Sequence, residues 1–184
     1  MVDLRDKPHL VGEKVIMRPF KEDDFPLLQE CLNDKEILKL TGSTPILDWE
    51  PVLRWYQTRN VQPDRLDLAI VDQTLDTLVG EAVVNEYDEP NESMNFRILI
   101  GPRGRNRGFG TEATQLMIDF LFQTTNLKQL TLSVFAFNPR AQRVYEKVGF
   151  VVDSVDKNDL EYEGQWIDSI NMKLTRGTWL KKRA

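Results

Sequence analysis

Between Arg103 and Ala113 the chain reads RGRNRGFGTEA, three arginines and three glycines set just before an apolar pattern of helical period. The protein as a whole is acidic, with a formal net charge of −5, so this local concentration of cations and bare backbone asks for a reason. Glycine lets backbone approach a bulky anion closely. The unpaired amides at a helix N-terminus, with the helix dipole behind them, favour negative charge there. Neighbouring arginines would add charge-assisted hydrogen bonds. The plain alternative is a flexible turn with solvated arginines. Two nucleotide motifs fit poorly. The Walker loop needs G-x-x-x-x-G-K-[ST], and no lysine follows Gly108 or Gly110. The dinucleotide fingerprint needs G-x-G-x-x-G, whereas Gly104, Gly108 and Gly110 give G-x-x-x-G-x-G.

Other reactive side chains are scarce. Cys31 is the only cysteine and His9 the only histidine. That excludes an internal disulfide, Cys/His zinc sites, and catalysis by a Cys-His or Ser-His pair. Cys31 lies in a helical pattern and reads as a small buried hydrophobe; His9 lies in a loose N-terminal segment. Chemistry must run on carboxylates, tyrosine, amides and backbone, with no metal. The acidic balance argues against a nucleic-acid or anionic-membrane surface. No apolar run reaches the roughly 20 residues that span a bilayer, and MVDLRDKPHL lacks the apolar core of a signal peptide. The expectation is a cytoplasmic protein.

The elements that must position these residues follow from local pattern. The 184 residues, 41% hydrophobic and 29% charged, suit one domain (1–184) with a real core. KVIMR (Lys14 to Arg18) reads as a strand and EDDFPLLQECLND as a helix with acids in its first turn. Asp48 reads as the N-cap of a helix over WEPVLRWYQTR. LDLAIV alternates as a strand, TLVGEAVV (Thr77 to Val84) follows across a turn, the loop EYDEPNE breaks it, and NFRILI (Asn95 to Ile100) is the next strand. A helix over Glu112 to Phe122, the strand LTLSVF, and a helix opened by Asn138-Pro139 and ended by Gly149 come next. Strands at Phe150 to Val155 and Trp166 to Leu174 close the chain. Residues 1–12 and 175–184 read as peripheral tails. This order predicts a mixed α/β (α+β) sheet with helices on its faces. A central βαβ unit should place NFRILI and LTLSVF parallel and adjacent, with the glycine cluster at the carboxyl end of the first.

The order R-x-x-G-x-G, Arg105 to Gly110, resembles the pyrophosphate loop of the GNAT N-acetyltransferase superfamily. NFRILIGPRGRNRGFGTEA looks like that family's fourth strand plus loop. LTLSVFAFNPRAQRVYEKVGF is similar to its second motif, a strand followed by N-x-x-A-x-x-x-Y-x-K-x-GF. VIMRPFKEDDFPLL and EGQWIDSINMKL resemble the opening and final elements of the ribosomal-protein N-acetyltransferase (RimJ/RimL-like) branch. The resemblance covers nearly the whole chain and is weakest between Thr41 and Pro63. It implies a GNAT-like, about seven-stranded, centrally splayed sheet and direct acetyl transfer from acetyl-CoA to a primary amine. The acceptor would be a peptide N-terminus or a small molecule, and the protein a monomer or homodimer.

By that resemblance, amides of Arg105, Asn106, Arg107, Gly108, Phe109, Gly110 and Thr111 would hold the pyrophosphate. Backbone of Ile98, Leu99 and Ile100 would pair with the pantetheine arm and stabilise the thioester oxyanion. Asn138 would contact the cofactor arm, and would also cap the helix at Pro139. Tyr145 would protonate or hydrogen-bond the departing thiolate; otherwise it is a core tyrosine. Many relatives carry a glutamate base where this chain has Asn95, which takes no proton at neutral pH. Glu81, Glu86 and Glu92 are the nearest carboxylates in sequence, with Glu86 preferred, acting through water. A weak base suits an amine of low pKa, such as an α-amine at ~7.7–8.0, over a lysine at ~10.4. Glu86, Asp88, Glu89 and Glu92 would attract such a cation or simply be solvated. Trp49, Trp55 and Tyr56 would wall the acceptor groove or lie in the core. The rival readings are a CoA-binding regulatory protein that lost turnover, and an enzyme using another acyl-CoA such as succinyl-CoA.

Overall fold

β-Branched and aliphatic residues in period-two runs build one sheet. The computed structural model describes residues 2–184 and leaves Met1, the first residue of the expected tail and domain, outside the description. The strands are β1 (Leu10–Val11), β2 (Val15–Arg18), β3 (Leu66–Asp72), β4 (Thr77–Asp88), β5 (Ser93–Ile100), β6 (Gln129–Phe135), β7 (Val151–Tyr162) and β8 (Gln165–Thr175). They form an 8-stranded sheet in the order β1-β2-β3-β4-β5-β6-β8-β7, one strand more than the resemblance implied. The short β1 is the addition.

Every neighbouring pair is antiparallel except β5 and β6, which run parallel as the βαβ reading requires. Their pairing is brief: Ser93, Met94 and Asn95 face Gln129, Leu130 and Thr131. Beyond Asn95, β5 stays on β4 as far as Ile100 and β6 stays on β8 as far as Phe135. The sheet therefore splits at its centre.

Helices cover both faces. On one lie α1 (Phe25–Leu32), α2 (Lys35–Thr41) and α3 (Glu50–Arg59), sharing a core of Phe20, Leu28, Cys31, Ile37, Tyr56, Ala69, Val71 and Leu78. On the other lie α4 (Phe109–Thr124), α5 (Pro139–Val148) and α6 (Arg176–Arg183), over a larger core that includes Leu68, Ile70, Ala82, Val84, Met94 and Phe96. Neighbours such as Ala69 and Ile70 serve opposite cores, as strand alternation demands.

Several local expectations change. A separate α2 follows α1: Asp34 caps it by accepting from the Ile37 amide at 3.1 Å, and Gly42 ends it at φ 62°. EYDEPNE is not a loop throughout, because β4 runs on to Asp88 through a bulge in which Glu86 takes φ 56°. β7 and β8 reach towards each other and make one long ribbon turned at Gly164, so most of DKNDLEYEGQ is strand. The ends are not tails. Leu4 is buried and β1 joins the sheet. Residues 176–183 form α6, whose Trp179 is 7% exposed and donates from Nε1 to Asp119 Oδ1 at 2.7 Å. A basic, hydrophilic composition hid that single anchoring indole.

Candidate active site

The loop after β5 turns through two left-handed residues, Asn106 at φ 59° and Gly108 at φ 79°. Gly108 is the N-cap of α4 and brings no side chain to the helix end. Among the described residues, the amides of Phe109, Gly110 and Thr111 meet no acceptor from the chain. A helix end with orphan amides and no cap is a ready anion cradle, which fits the pyrophosphate expected here. Glu112, one residue further, holds that end in place. Its carboxylate accepts from the amides of Glu13, Lys14 and Val15 at 2.7, 2.9 and 2.8 Å, pinning α4 to the β1–β2 turn.

The arginine side chains do something else. Arg103 pairs with Glu30 at 3.0 Å, Arg107 with Asp72 at 2.7 Å, and Arg105 with both Asp34 and Glu36. Their charge ties the loop to α1, β3 and α2. The guanidiniums expected to add contacts to the anion are thus engaged by carboxylates of the chain, and the backbone amides are the groups left free to meet one. Arg107 lies outside the cleft lining altogether.

The split in the sheet opens into a cleft of about 820 Å³, within the range of small-molecule sites. Its walls include Ile98, Leu99 and Ile100 from β5; Arg105, Asn106, Gly108, Phe109, Gly110 and Thr111 from the loop; and Ser133 to Phe135 from β6. Asn138 and Tyr145 on α5 also reach it, so the structure brings nearly all the residues expected to hold the cofactor to one cleft. On the side turned from β4, the backbone of Ile98 to Ile100 has no strand partner among the described residues, leaving an edge to which an extended arm can add. Asn138 Oδ1 accepts from the Ala141 amide at 3.2 Å as an N-cap. Its side-chain Nδ2 has no partner among the described residues and remains available to the cleft, while its backbone N–H donates to the Phe135 carbonyl.

Tyr145 is 6% exposed, with its ring edge-on to Phe96 and Phe150. Its hydroxyl has no hydrogen-bond partner among the described residues, and burial pushes its pKa up to about 12. Giving that proton to a thiolate of ordinary pKa ~8.5 is uphill, so the arrangement suits a hydrogen-bond donor. Cys31 is inert: burial raises its thiol to about 12.

The carboxylates separate sharply. Glu86 is exposed on the β4 bulge and lies with Asn95, Asp88, Asp153 and Lys173 around a shallow polar depression, outside the main cleft. Glu92 is paired with Lys128. Glu81 is buried and lies opposite Leu99, a cleft residue, on the face covered by α3. Tyr56 donates its hydroxyl proton to Glu81 Oε2 at 2.7 Å. Burial lifts the Glu81 pKa to about 7, against the lowering pull of Tyr56 and Arg97. Of the aromatics expected near the acceptor, Tyr56 is core, while Trp55 is half open and stacked by Arg59 at 3.8 Å. The Glu81–Tyr56 pairing joins residues 25 apart, and no motif in either segment signals it.

A family model described as an acetyltransferase (GNAT) domain matches residues 14–151. Spermidine N(1)-acetyltransferase of Vibrio cholerae is 20% identical over 172 residues, covering 94% of this chain and 99% of the relative. The Escherichia coli K12 enzyme of the same name is 24% identical over 177 residues, covering 92% and 90%. The crystal structure of the Vibrio cholerae spermidine N-acetyltransferase in complex with CoA and spermine superimposes with a TM-score of 0.83 at 21% identity, over 92% of this chain and 99% of that one.

Proposed function

The chain belongs to the GNAT acetyltransferase family and is an acetyl-CoA-dependent N-acetyltransferase, and we propose that it acetylates a small-molecule primary amine at the split between β5 and β6. The observation that carries this reading is the cleft itself: an uncapped α4 N-terminus, the unpaired edge of β5 and the free Tyr145 hydroxyl share one cavity. The small-molecule acceptor is favoured over a protein N-terminus because the relatives above are named for spermidine.

In this reading the loop amides bind the pyrophosphate, and backbone of Ile98 to Ile100 aligns the pantetheine arm and donates to the developing oxyanion. The neutral amine attacks the thioester carbonyl. A C–N bond forms, the C–S bond breaks, and its electron pair leaves on sulfur. Tyr145 stabilises that thiolate by hydrogen bonding. The amine proton passes through water to Glu81, whose pKa of about 7 suits a base at neutral pH. Glu81 thereby takes the role expected first of Glu86, and Asn95, which marks the last rung before the split, holds no proton.

The test is thiol release from acetyl-CoA with a panel of primary amines. Amine-dependent release supports the reading. Tight acetyl-CoA binding without release for any amine would return the protein to the regulatory class, and release from succinyl-CoA alone would change the donor.

A further inference from the structure

Charge along the cleft points to the chemistry of the acceptor. The ionised side chains on its wall are Glu36, Arg97, Arg105, Arg140 and Arg143. Glu36, the single carboxylate among them, is bound by Arg105 at 2.9 Å and by Arg140 at 3.5 Å. A polycationic amine therefore finds no free carboxylate on this wall. The arginines are the opposite case. Among the described residues only the guanidiniums of Arg97 and Arg143 have no hydrogen bond or ion pair from the chain, and both line the cleft.

Their positions differ. Arg143 lies on α5, on the same face of the sheet as α4 and its anion cradle. Arg97 lies within β5, paired to Val83, and its side chain shares a face with Leu99, which packs in the core under α1 and α3. It precedes Ile100 by three residues, so it sits about 10 Å back along the strand from the start of the phosphate loop. Arg97 also acts electrostatically on Glu81, lowering its pKa. Arg97 is thus an exposed cation on the cleft wall, within electrostatic reach of Glu81 and set back from the loop after β5.

Resting on the acetyltransferase reading, we propose that Arg97 binds an anionic group of the acceptor, so that the substrate is a carboxylate-bearing primary amine of amino-acid type. A guanidinium matches a carboxylate bidentately. The pairing also assists the reaction. A carboxylate next to an amine holds the proton on nitrogen, and a cation that neutralises it favours the free amine.

Matched acceptors test this: free amino acids, the same amino acids as carboxamides, and spermidine, each at saturating acetyl-CoA. Loss of one charge-assisted contact corresponds to about tenfold or more. The free acids should exceed their carboxamides in kcat/KM by that factor. Arg97→Gln should collapse the preference to near parity by raising KM for the acids, and Arg97→Lys should keep part of it. Preference for spermidine, equal use of acids and carboxamides, or a preference that survives Arg97→Gln would each overturn the assignment of Arg97 while leaving the enzymatic reading intact. Acetyl-CoA binding without turnover of any amine would overturn both.

Discussion

The Tyr56 hydroxyl meets Glu81 Oε2 at 2.7 Å beneath α3, which makes a helix otherwise concerned with packing the holder of a buried carboxylate. The position of the glutamate in β4 buries it, and the tyrosine orients it and limits how far burial can raise its pKa.

Glu81 should therefore govern the pH profile. Its pKa rises from 4.5 to about 7 on folding, so the folded protein holds this proton more tightly than the unfolded chain. Its contribution to stability is fully present below the unfolded pKa and is lost as pH rises through about 7. Glu81→Gln should be more stable than the wild type at about pH 8 and gain less at about pH 5. The same substitution should remove the rise in kcat/KM near neutrality. Thermal melts at both pH values, with a pH–rate series, check both arms; an unchanged profile would exclude Glu81 as the base.

Tyr145→Phe should lower kcat by about tenfold or more, the worth of one hydrogen bond to a developing charge. The acetyl-CoA dissociation constant should hardly move. Because the hydroxyl bonds nothing among the described residues, the melting temperature should stay close to that of the wild type. Equal turnover would reduce Tyr145 to packing.

Gly108→Asp places a carboxylate at a φ 79° position, in the proposed cradle for the pyrophosphate. The dissociation constant for acetyl-CoA, read by calorimetry, should rise by about tenfold or more through like-charge repulsion. The nearest atom to the new Cβ is the flexible end of Lys14 at 2.8 Å, so the fold should survive. Unaltered binding would remove this loop from the cofactor site.

Trp179→Ala should cost about 3–5 kcal/mol and lower the melting temperature by roughly 10 °C, although Trp179 does not line the cleft. The indole packs on Phe122 at 5.4 Å and hydrogen-bonds Asp119. A dispensable tail would show no shift.

Much of the fold was legible because its signals are local. Asn138 before Pro139 and Gly149 after Val148 bound α5 in the structure as they do in the sequence, since caps act within one turn. The parallel β5–β6 pair followed from strand, helix and strand in succession. Less legible were α6, whose burial rests on one tryptophan, and the extension of β4 through Glu86, where a polar bulge residue reads like a loop.

The arginine-rich loop divides the two sources of information. Its glycines and amides determine an uncapped helix end with free amides by themselves, because backbone conformation there is decided within a few residues. Where its arginines point was decided by tertiary structure: Arg105 reaches Asp34 across 71 residues of sequence. The same holds for Glu81, whose burial and partner depend on Tyr56 of α3 reaching β4. Electrostatic roles depend on distance in space, and spacing along the chain does not contain it.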